Sequence, residues 1–312
     1  MFSIHRHHDV ARALDEGGPV VALESTLLAH GLPQPSNLET AHELQEVVRR
    51  HGATPATIAL LDGAAHIGLT DEELERICSD PDLIKLSHRD VAVAAGLGRS
   101  GATTVASTAS LAHLAGIPVF ATGGLGGVHR GASDSFDESA DLAVLARTRI
   151  VVVCAGVKSI LDVPATLQRL ESLSVAVIGY QSLAFPGFYV TESGSVVDWR
   201  CETPDEVAKI FTAADGFSHS ALVVANPLPV DRQMDPGLHD TVLGYALSAA
   251  VEAGVAGKDV TPYVLDRLHI ASNGRTREVN VDLVLRNAAL AAQIAVVLAG
   301  VPSEPSGPSR DD

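Results

Sequence analysis

The chain has 312 residues, and its 22 basic and 38 acidic side chains give a formal net charge of −16. This charge argues against non-specific nucleic-acid binding and against anionic membrane surfaces, because an acidic surface repels polyanions. Apolar residues make up 46% of the chain, enough for a large core, and aromatic residues only 4%. The low aromatic content argues against stacking platforms for single-stranded nucleic acid. A small phosphorylated ligand stays compatible, because one pocket can be locally positive.

The cysteines and the apolar stretches together predict a cytoplasmic protein. Cys78, Cys154 and Cys201 show neither close pairing nor metal-ligand spacing, which is typical of a reducing compartment. The polar, His-rich N-terminus does not resemble a signal peptide. The longest near-apolar stretch, residues 288–301, is shorter than the roughly 20 residues that a membrane-spanning helix needs.

Short runs of apolar and β-branched residues predict the strands. None of the runs alternates strictly between apolar and polar residues, which indicates a sheet covered on both faces by helices. In chain order the predicted strands are residues 20–23, 57–61, 119–121, 150–154, 175–178 and 222–225.

Helical patterns separate the predicted strands. Ser36 and Glu39 form a capping-box pattern that opens an apolar periodicity ending near Gly52, and Thr70 and Glu73 form a second capping box. Further helices are predicted at residues 104–115, 139–146, 204–213 and 280–298.

The alternation of strands and helices predicts the architecture. Neither a repeat nor a linker interrupts residues 1–301. We therefore expect a single three-layer α/β/α domain with a largely parallel or mixed central sheet. Residues 302–312 are rich in Pro, Ser and Asp and are expected to form a disordered tail.

Polar residues follow three of the predicted strands at the point where each strand ends. Glu24, Thr122 and Lys158 all lie just past such runs. In open α/β sheets ligands bind outside the carboxyl ends of the strands, so these positions predict one shared site. The alternative is that they are polar only because loops in general are polar.

Lysine is scarce in this chain, and its positions therefore carry information. Only four of the basic residues are Lys: Lys85, Lys158, Lys209 and Lys258. Lys158 follows a fully apolar strand, where partial desolvation favours the neutral, nucleophilic amine that arginine cannot supply. A Lys whose stem simply covers apolar surface at a helix start is an equally good reading. Lys85 is a second candidate cation, suited to a phosphate.

Two further segments are candidates for phosphate and for backbone contact with a ligand. Residues 101–105 precede a helix and are rich in hydroxyls, which suits a phosphate at the helix N-terminus or an ordinary Thr cap. Residues 122–131 are dense in glycine, a weak dinucleotide fingerprint and a better candidate for a loop whose backbone approaches a ligand. His129, within that loop, is the histidine that we place in the site.

Acidic residues at a helix start are the candidate metal ligands. Asp137 and Asp141 are spaced four apart, as in a site for Mg²⁺ or Mn²⁺ that keeps most of its waters. The competing reading is the ordinary preference of Asp for a helix N-terminus.

Taken together and in this order, the motifs resemble those of the pseudouridine-5′-phosphate glycosidase family, also called indigoidine synthase A-like. The resemblance extends from about residue 20 to residue 298. The strings that carry it are VALESTLLAHGLPQPSNLETA, PATIALLDG, IGLTDEEL, GATTVAST, VFATGGLGGVHRGASDSFDESADL, VVVCAGVKSILD, FPGFY, VANPLP and VNVDLVLRNA.

The resemblance implies a reaction, a metal and an assembly. Family members convert pseudouridine 5′-phosphate and water, reversibly, to uracil and ribose 5-phosphate, with a divalent metal that is usually Mn²⁺ and with Mg²⁺ as the alternative. They are homotrimers. The resemblance makes Lys158 the nucleophile that forms an imine with the anomeric carbon, Glu24 the proton donor and Asp137 the metal ligand. It further implies substrate contacts for Lys85, Val105, Ser139, Ala140 and Asp141, and a place in the same pocket for Thr104, Thr122, His129 and Asn280.

The chemistry agrees with the types of residue present. A carbon–carbon glycosidic bond has no leaving oxygen to protonate, so the two-carboxylate glycosidase scheme is poorly suited. An imine can act as an electron sink once a carboxylic acid protonates the uracil ring carbon. A Schiff-base lyase or aldolase acting on another phosphosugar, and a non-catalytic nucleotide-binding homologue, remain the alternatives. Gln181–Ala184, Glu138 and residues 272–276 depart from the family pattern and weaken the expectation of strict uracil selectivity.

Overall fold

The computed structural model describes residues 2–255 and 260–300 of the chain. The tail expected at residues 302–312 and Lys258 both lie outside the described residues. Within them, eleven strands form one sheet. They are β1 (Ile4–Arg6), β2 (Val20–Glu24), β3 (Thr54–Leu61), β4 (Ala64–Ile67), β5 (Ile84–Leu86), β6 (Gly101–Thr103), β7 (Val119–Ala121), β8 (Val151–Cys154), β9 (Ala176–Tyr180), β10 (Trp199–Cys201) and β11 (Leu222–Ala225).

The helices that connect and flank these strands vary widely in length. One π-helical turn, Leu27–Gly31, follows β2. The α-helices are α1 (His8–Asp15), α2 (Ser36–Arg50), α3 (Asp71–Ser79), α4 (His88–Gly96), α5 (Val105–Ala115), α6 (Ala132–Ser135), α7 (Ala140–Leu145), α8 (Val163–Ser172), α9 (Pro204–Ala213), α10 (Pro236–Glu252), α11 (Val260–Ala271) and α12 (Arg275–Gly300).

The sheet is mixed, with a parallel centre. Its order is β1-β4-β3-β2-β7-β8-β11-β9-β10, and every pair from β3–β2 to β9–β10 is parallel. β4 and β6 run antiparallel to β3. All residues of β8 and β11 are buried, because helices cover both faces of the sheet. The expected three-layer α/β/α class is therefore confirmed, and each of the six predicted strands is present.

The sheet branches where β2 ends. The last pair between β2 and β3 is Glu24 with Ile58, and one residue further along β3 its partner is Ala102 of β6 instead. β5 then pairs with β6 in parallel. The branch brings β5, and the start of α5 that follows β6, to the end of β2. The sequence patterns did not predict this, since three-residue strands carry no periodicity.

Of the two predicted capping boxes, one is confirmed and one is wrong. The Thr70 hydroxyl accepts from the Glu73 amide at 3.2 Å, and the Glu73 carboxylate accepts from the Thr70 amide at 2.9 Å. At α2 the residue before the helix is Pro35. Ser36 is already helical and its hydroxyl donates to the Pro33 carbonyl at 2.8 Å, so it cannot cap the helix.

Helix α12 is longer than the helix predicted over residues 280–298 and begins at Arg275. By length and composition alone it could cross a membrane, with a mean hydropathy of 1.7 over an 18-residue window, yet half of that window is buried inside the protein. The helix packs against α2, α9, β7 and β8. Its apolar character is therefore used in the core.

Candidate active site

The carboxyl ends of β2, β7, β8 and β11 lie side by side, because these strands are parallel neighbours. Glu24 is the last residue of β2, and Thr122 directly follows β7. The Thr122 hydroxyl donates to Glu24 Oε1 at 2.5 Å. Lys158, half-buried, follows β8 after a short turn whose backbone pairs with the glycine-rich loop, the Lys158 amide donating to the Leu125 carbonyl at 3.1 Å. The structure thus brings together the three strand-end residues that the sequence singled out.

The carboxyl group of Glu24 is held in an environment that favours its protonated form. Burial raises the pKa of Glu24 above its usual value, and this effect is larger than the opposing influences of the Lys158 charge and of the Thr122 hydrogen bond. The charge of Asp141 raises the same pKa further, and the charge of Lys85 lowers it. A carboxylic acid placed in this way can donate a proton.

Lys85 reaches the same cleft from the sheet branch. It is the central residue of β5, paired in register with Ala102. Burial lowers the pKa of Lys85, the Lys158 charge lowers it further, and Glu24 and Asp141 oppose both effects. The residue as a whole is exposed, so water reaches part of the side chain while nearby protein atoms partly desolvate the amine. That position suits a cation meeting an anionic group.

Buried hydroxyls fix the chain just past Glu24. Ser25 and Thr103 each donate to the carbonyl of Ile58, at 2.7 and 2.6 Å. The Thr103 amide in turn donates to the Ser25 hydroxyl at 2.9 Å. This network ties β2, β3 and β6 together. It places Thr104, the residue before α5, and the buried Val105 at its first turn beside the end of β2.

Asp141 joins two of these segments through its carboxylate. One oxygen accepts from the Ala106 amide in α5 at 2.9 Å, and the other accepts from the Gly126 amide in the glycine-rich loop at 2.7 Å. The side chain is buried. Ser139, before α7, accepts from the Asp141 amide at 3.2 Å, while Ala140 is exposed. Asp141 therefore holds the walls of the site in place.

The glycine-rich loop is close-packed against protein atoms. A Cβ on Gly126 would lie 2.3 Å from the Ser139 hydroxyl, and one on Gly124 would lie 2.5 Å from the Phe188 ring. Neither glycine has a positive φ, so packing rather than backbone conformation requires them. The glycines were expected to let the backbone approach a ligand. The structure adds a second reason for them, which is close contact of the loop with the residue before α7 and with the segment around Phe188.

His129 and Asp137 form a pair further along this loop. The His129 Nδ1 atom lies 3.8 Å from Asp137 Oδ2, and the His129 amide donates to the Asp137 carbonyl at 3.0 Å. The adjacent Glu138 is engaged elsewhere, in an ion pair with Arg169 at 2.9 Å. Among the described residues no cluster of three ligating side chains includes Asp137. The Asp137 carboxylate offers the oxygen ligand that a hard divalent cation such as Mg²⁺ or Mn²⁺ prefers.

Helix α12 contributes two asparagines, of which the sequence analysis named only one. Asn280 Oδ1 lies 3.4 Å from where a Cβ on Gly123 would be, so it faces the turn after β7. Asn287, two helical turns on, is buried and donates to the Thr122 carbonyl at 2.8 Å. The string VNVDLVLRNA contains Asn287, but nothing in the sequence distinguishes it from a core polar residue.

His30 is a second residue that the sequence analysis did not place in the site. It lies in the π-helical turn after β2, a type of turn that often marks functional sites. Burial lowers the pKa of His30, and the charge of Lys85 lowers it further. His30 therefore lies near enough to Lys85 for their charges to interact. The π-helical turn is the local feature that places it there.

Comparison with known proteins finds relatives over nearly the whole chain. The profile of the family described as indigoidine synthase A like protein matches residues 9–297. The pseudouridine-5′-phosphate glycosidase of Salinispora tropica is 54% identical over 95% of this chain and 93% of its own length. That of Streptomyces griseus is 56% identical over 93% and 91%.

Two solved structures share the fold. The crystal structure of the prealnumycin C-glycosynthase AlnA in complex with ribulose 5-phosphate has a TM-score of 0.89 and 34% identity, covering 96% of this chain and 97% of that one. An indigoidine synthase A-like protein from Thermotoga maritima has a TM-score of 0.86 and 35% identity with the same coverage. The chain belongs to the indigoidine synthase A-like family of pseudouridine-5′-phosphate glycosidases.

Proposed function

We propose that this protein is a C-glycosidase that reversibly cleaves pseudouridine 5′-phosphate to uracil and ribose 5-phosphate. The observation that carries the proposal is the half-buried carboxyl group of Glu24 at the end of β2, which feels the charge of Lys158 from the turn after β8. The two strands are parallel, and β7 lies between them. Relatives more than half identical to this chain bear that activity in their names. The related AlnA structure holds a pentulose phosphate, which supports a phosphosugar as the ligand.

The two residues divide the chemistry between them. The neutral amine of Lys158 attacks C1′ of the ribose, the C1′–O4′ bond breaks, and the proton of the amine passes to O4′. Glu24 then protonates C5 of the uracil ring. The C1′–C5 bond breaks towards the ring as the nitrogen lone pair forms the imine. Water adds to the protonated imine, and the proton released in this step returns to the Glu24 carboxylate. Loss of the amine from the adduct then frees ribose 5-phosphate and regenerates Lys158.

The remaining residues bind and orient the substrate. Lys85 supplies positive charge for the phosphate at the mouth of the cleft. Binding energy from this remote group holds the open-chain sugar in place through successive steps. Asp141 keeps the start of α5 and the glycine-rich loop at a fixed separation. Thr104, Val105, Ser139, Ala140 and Asn280 line the pocket between these segments.

Asp137, with His129 beside it, would hold a divalent cation, Mn²⁺ or Mg²⁺. When bound, such an ion neutralises negative charge on substrate oxygens. Chelation should then lower the rate of uracil release, and added Mn²⁺ should restore it. Indifference to both treatments would remove the metal from the proposal.

The assembly and the cell compartment follow from the family resemblance and from the sparse cysteines. We propose a homotrimer in the cytoplasm. Light scattering on the purified protein should give a mass close to three times 32.4 kDa. A monomer that is fully active would contradict the proposed trimer.

The deciding experiment is incubation with pseudouridine 5′-phosphate, with chromatography to detect uracil and ribose 5-phosphate. Release of a smaller aldehyde from another phosphosugar would instead identify a lyase or aldolase, and the absence of turnover a binding homologue. Borohydride added with ribose 5-phosphate should trap a covalent adduct on Lys158. An adduct on another lysine would overturn the assigned nucleophile.

A further inference from the structure

Helix α12 presents two asparagines to the turn after β7, seven residues apart and therefore on one face of the helix. Asn280 faces Gly123 and belongs to the pocket. Asn287 is 1% exposed and lies too deep to meet a substrate. A buried amide must satisfy its hydrogen bonds within the protein, and the partners that Asn287 selects connect it to the proton donor.

Every polar atom of the Asn287 side chain is used. Its Nδ2 donates to the Thr122 carbonyl at 2.8 Å and reaches the Gly123 carbonyl at 3.5 Å. Its Oδ1 accepts from the side-chain amide of Asn226 at 3.0 Å. Asn226 directly follows β11, and its own backbone amide donates to the Cys154 carbonyl at 2.8 Å. One side chain therefore joins α12 to the strand-end turns of β7, β8 and β11.

Thr122 is held on three sides. Its amide donates to the Val153 carbonyl of β8 at 3.0 Å, its carbonyl accepts from Asn287, and its hydroxyl donates to Glu24. With the amide and the carbonyl both fixed, the direction of the Thr122 Cα–Cβ bond is set, and from that position a staggered rotamer brings the hydroxyl to Glu24. If the Asn287 amide is removed, the Thr122 carbonyl loses its only side-chain partner among the described residues.

We propose that Asn287 is a positioning residue for the glycosidase reaction: through the Thr122 carbonyl it aims the Thr122 hydroxyl at Glu24 and so orients the proton donor. The inference rests on the proposed function, in which Glu24 delivers the proton to uracil C5. Asn287 itself touches neither substrate nor reacting atoms. Its effect on the reaction passes through Thr122.

The direction of the effect on pH dependence follows from the groups around Glu24. The charged groups that face it are Lys158, Lys85 and Asp141, and none of them is a hydrogen-bond partner of Asn287. The Thr122 hydrogen bond lowers the pKa of Glu24 against the larger effect of burial. Loss of this hydrogen bond raises that pKa, so Glu24 stays protonated to higher pH. The alkaline limb of the pH–rate profile, which is the fall in rate at high pH, therefore moves to higher pH.

The test is a double-mutant cycle with Asn287→Leu, which has similar volume and no amide, and Thr122→Val, which removes the hydroxyl. We expect Asn287→Leu to lower kcat about tenfold through misplacement of the donor and to move the alkaline limb upward. Thr122→Val should move the limb at least as far. The double variant should match Thr122→Val alone, because residues that act through one contact are not additive.

Two controls separate positioning from simple support of the helix. Ile294→Val, on the buried face of α12, should lower thermal stability without moving the limb. If Asn287→Leu does not fold, Asn226→Ala carries the test, with a smaller shift in the same direction. A limb that coincides with that of the wild type, or shifts that add in the double variant, would overturn the proposal.

A second readout keeps this proposal distinct from the proposed function. Infrared difference spectra against Glu24→Gln report the protonation of Glu24 without turnover. If Glu24 titrates at higher pH in Asn287→Leu than in the wild type, the positioning role is supported even if pseudouridine 5′-phosphate proves not to be the substrate. An unmoved titration contradicts that role even if uracil is released.

Discussion

Two clusters at the ends of neighbouring strands each contain a carboxyl group, a hydroxyl and a basic side chain, but the pKa of the carboxyl group is raised in one and lowered in the other. At the end of β2, Glu24 meets a hydroxyl and lysine charges, and burial raises its pKa. Just past the end of β3, Asp62 meets the guanidinium of Arg76 through two contacts of 2.8 Å and the hydroxyl of Ser100 at 3.1 Å. Hydrogen bonding to Arg76 lowers the pKa of Asp62 to about 2.

The clusters differ in their access to water and in whether an arginine bonds the carboxylate. The Asp62 side chain is 72% exposed, so its carboxylate stays solvated and the arginine only adds to that stabilisation. Around the half-buried Glu24 the surrounding segments limit contact with water, and desolvation outweighs the nearby cations. Polar residues after strands therefore become chemically useful only where distant segments bury them.

In the cluster around Glu24 at the end of β2, the largest effect is expected from removal of the Lys158 amine. Lys158→Ala should reduce uracil release at least about a thousandfold, because the covalent step has no substitute. Lys158→Arg is the matched control, since it keeps the charge without a usable nucleophile. It should be nearly as inactive, with unchanged thermal unfolding. Substantial activity in the arginine variant would show that charge alone suffices.

Removing the acid separates the two roles within that cluster. Glu24→Gln should lower the rate of uracil release by about 10²- to 10⁴-fold, because the amide cannot donate a proton to carbon as the acid can. Borohydride trapping of ribose 5-phosphate on Lys158 should persist, since that step needs no protonation of uracil. A variant that releases uracil at the wild-type rate would sink the assignment of Glu24.

A smaller effect is expected at the carboxylate that joins the walls of the site. Asp141→Asn places a side-chain NH₂ group opposite the backbone N–H of Ala106 or of Gly126, so that two donors face each other. The variant should destabilise the fold by about 2 kcal/mol and raise KM. Thr166→Val is the matched control. The Thr166 hydroxyl also accepts from an amide of the glycine-rich loop, that of Val128, at 2.9 Å. Unlike Asp141 it carries no charge. Equal effects of the two variants on KM would contradict a special role for the charge of Asp141.

The smallest effect is expected at the exposed cluster. Arg76→Gln should leave the rate of uracil release unchanged. In the wild type the lowered pKa of Asp62 contributes stability that is present above its ordinary value of 3.8 and is lost as the pH falls through about 2. The variant should lack this part of the acid dependence when unfolding is followed from pH 5 to pH 2. A change in turnover would mean that the two clusters communicate.

The strand-end residues were predictable because their signals are local. Glu24, Thr122 and Lys158 each follow a continuous apolar run, and parallel strands bring such ends to one edge of the sheet. The six central strands were predicted for the same reason. Ser36 was wrongly predicted as a cap, since the sequence could not show that Pro35 takes the position before the helix.

Other parts of the site depend on contacts between distant segments. Lys85 reaches the cleft only because β3 extends past β2 and accepts β6 as a new partner. Asp141 was predicted as a substrate contact or as one of two helix-start carboxylates, and the structure engages both of its oxygens with main-chain amides. Asn287 reads as an ordinary core polar residue until α12 is packed against the turn after β7.

Composition and local pattern alone already establish much about this protein: a net charge of −16, buried parallel strands, and an acid and a lysine that follow strand ends. Net charge describes what the surface repels. The tertiary structure decides which carboxyl keeps its proton, because desolvation arises only when segments far apart in the chain close around it. Glu24 and Asp62 lie at the ends of paired strands, yet burial raises the pKa of Glu24 and makes it a candidate acid, while the hydrogen bond to Arg76 lowers the pKa of the exposed Asp62 and keeps it an anion.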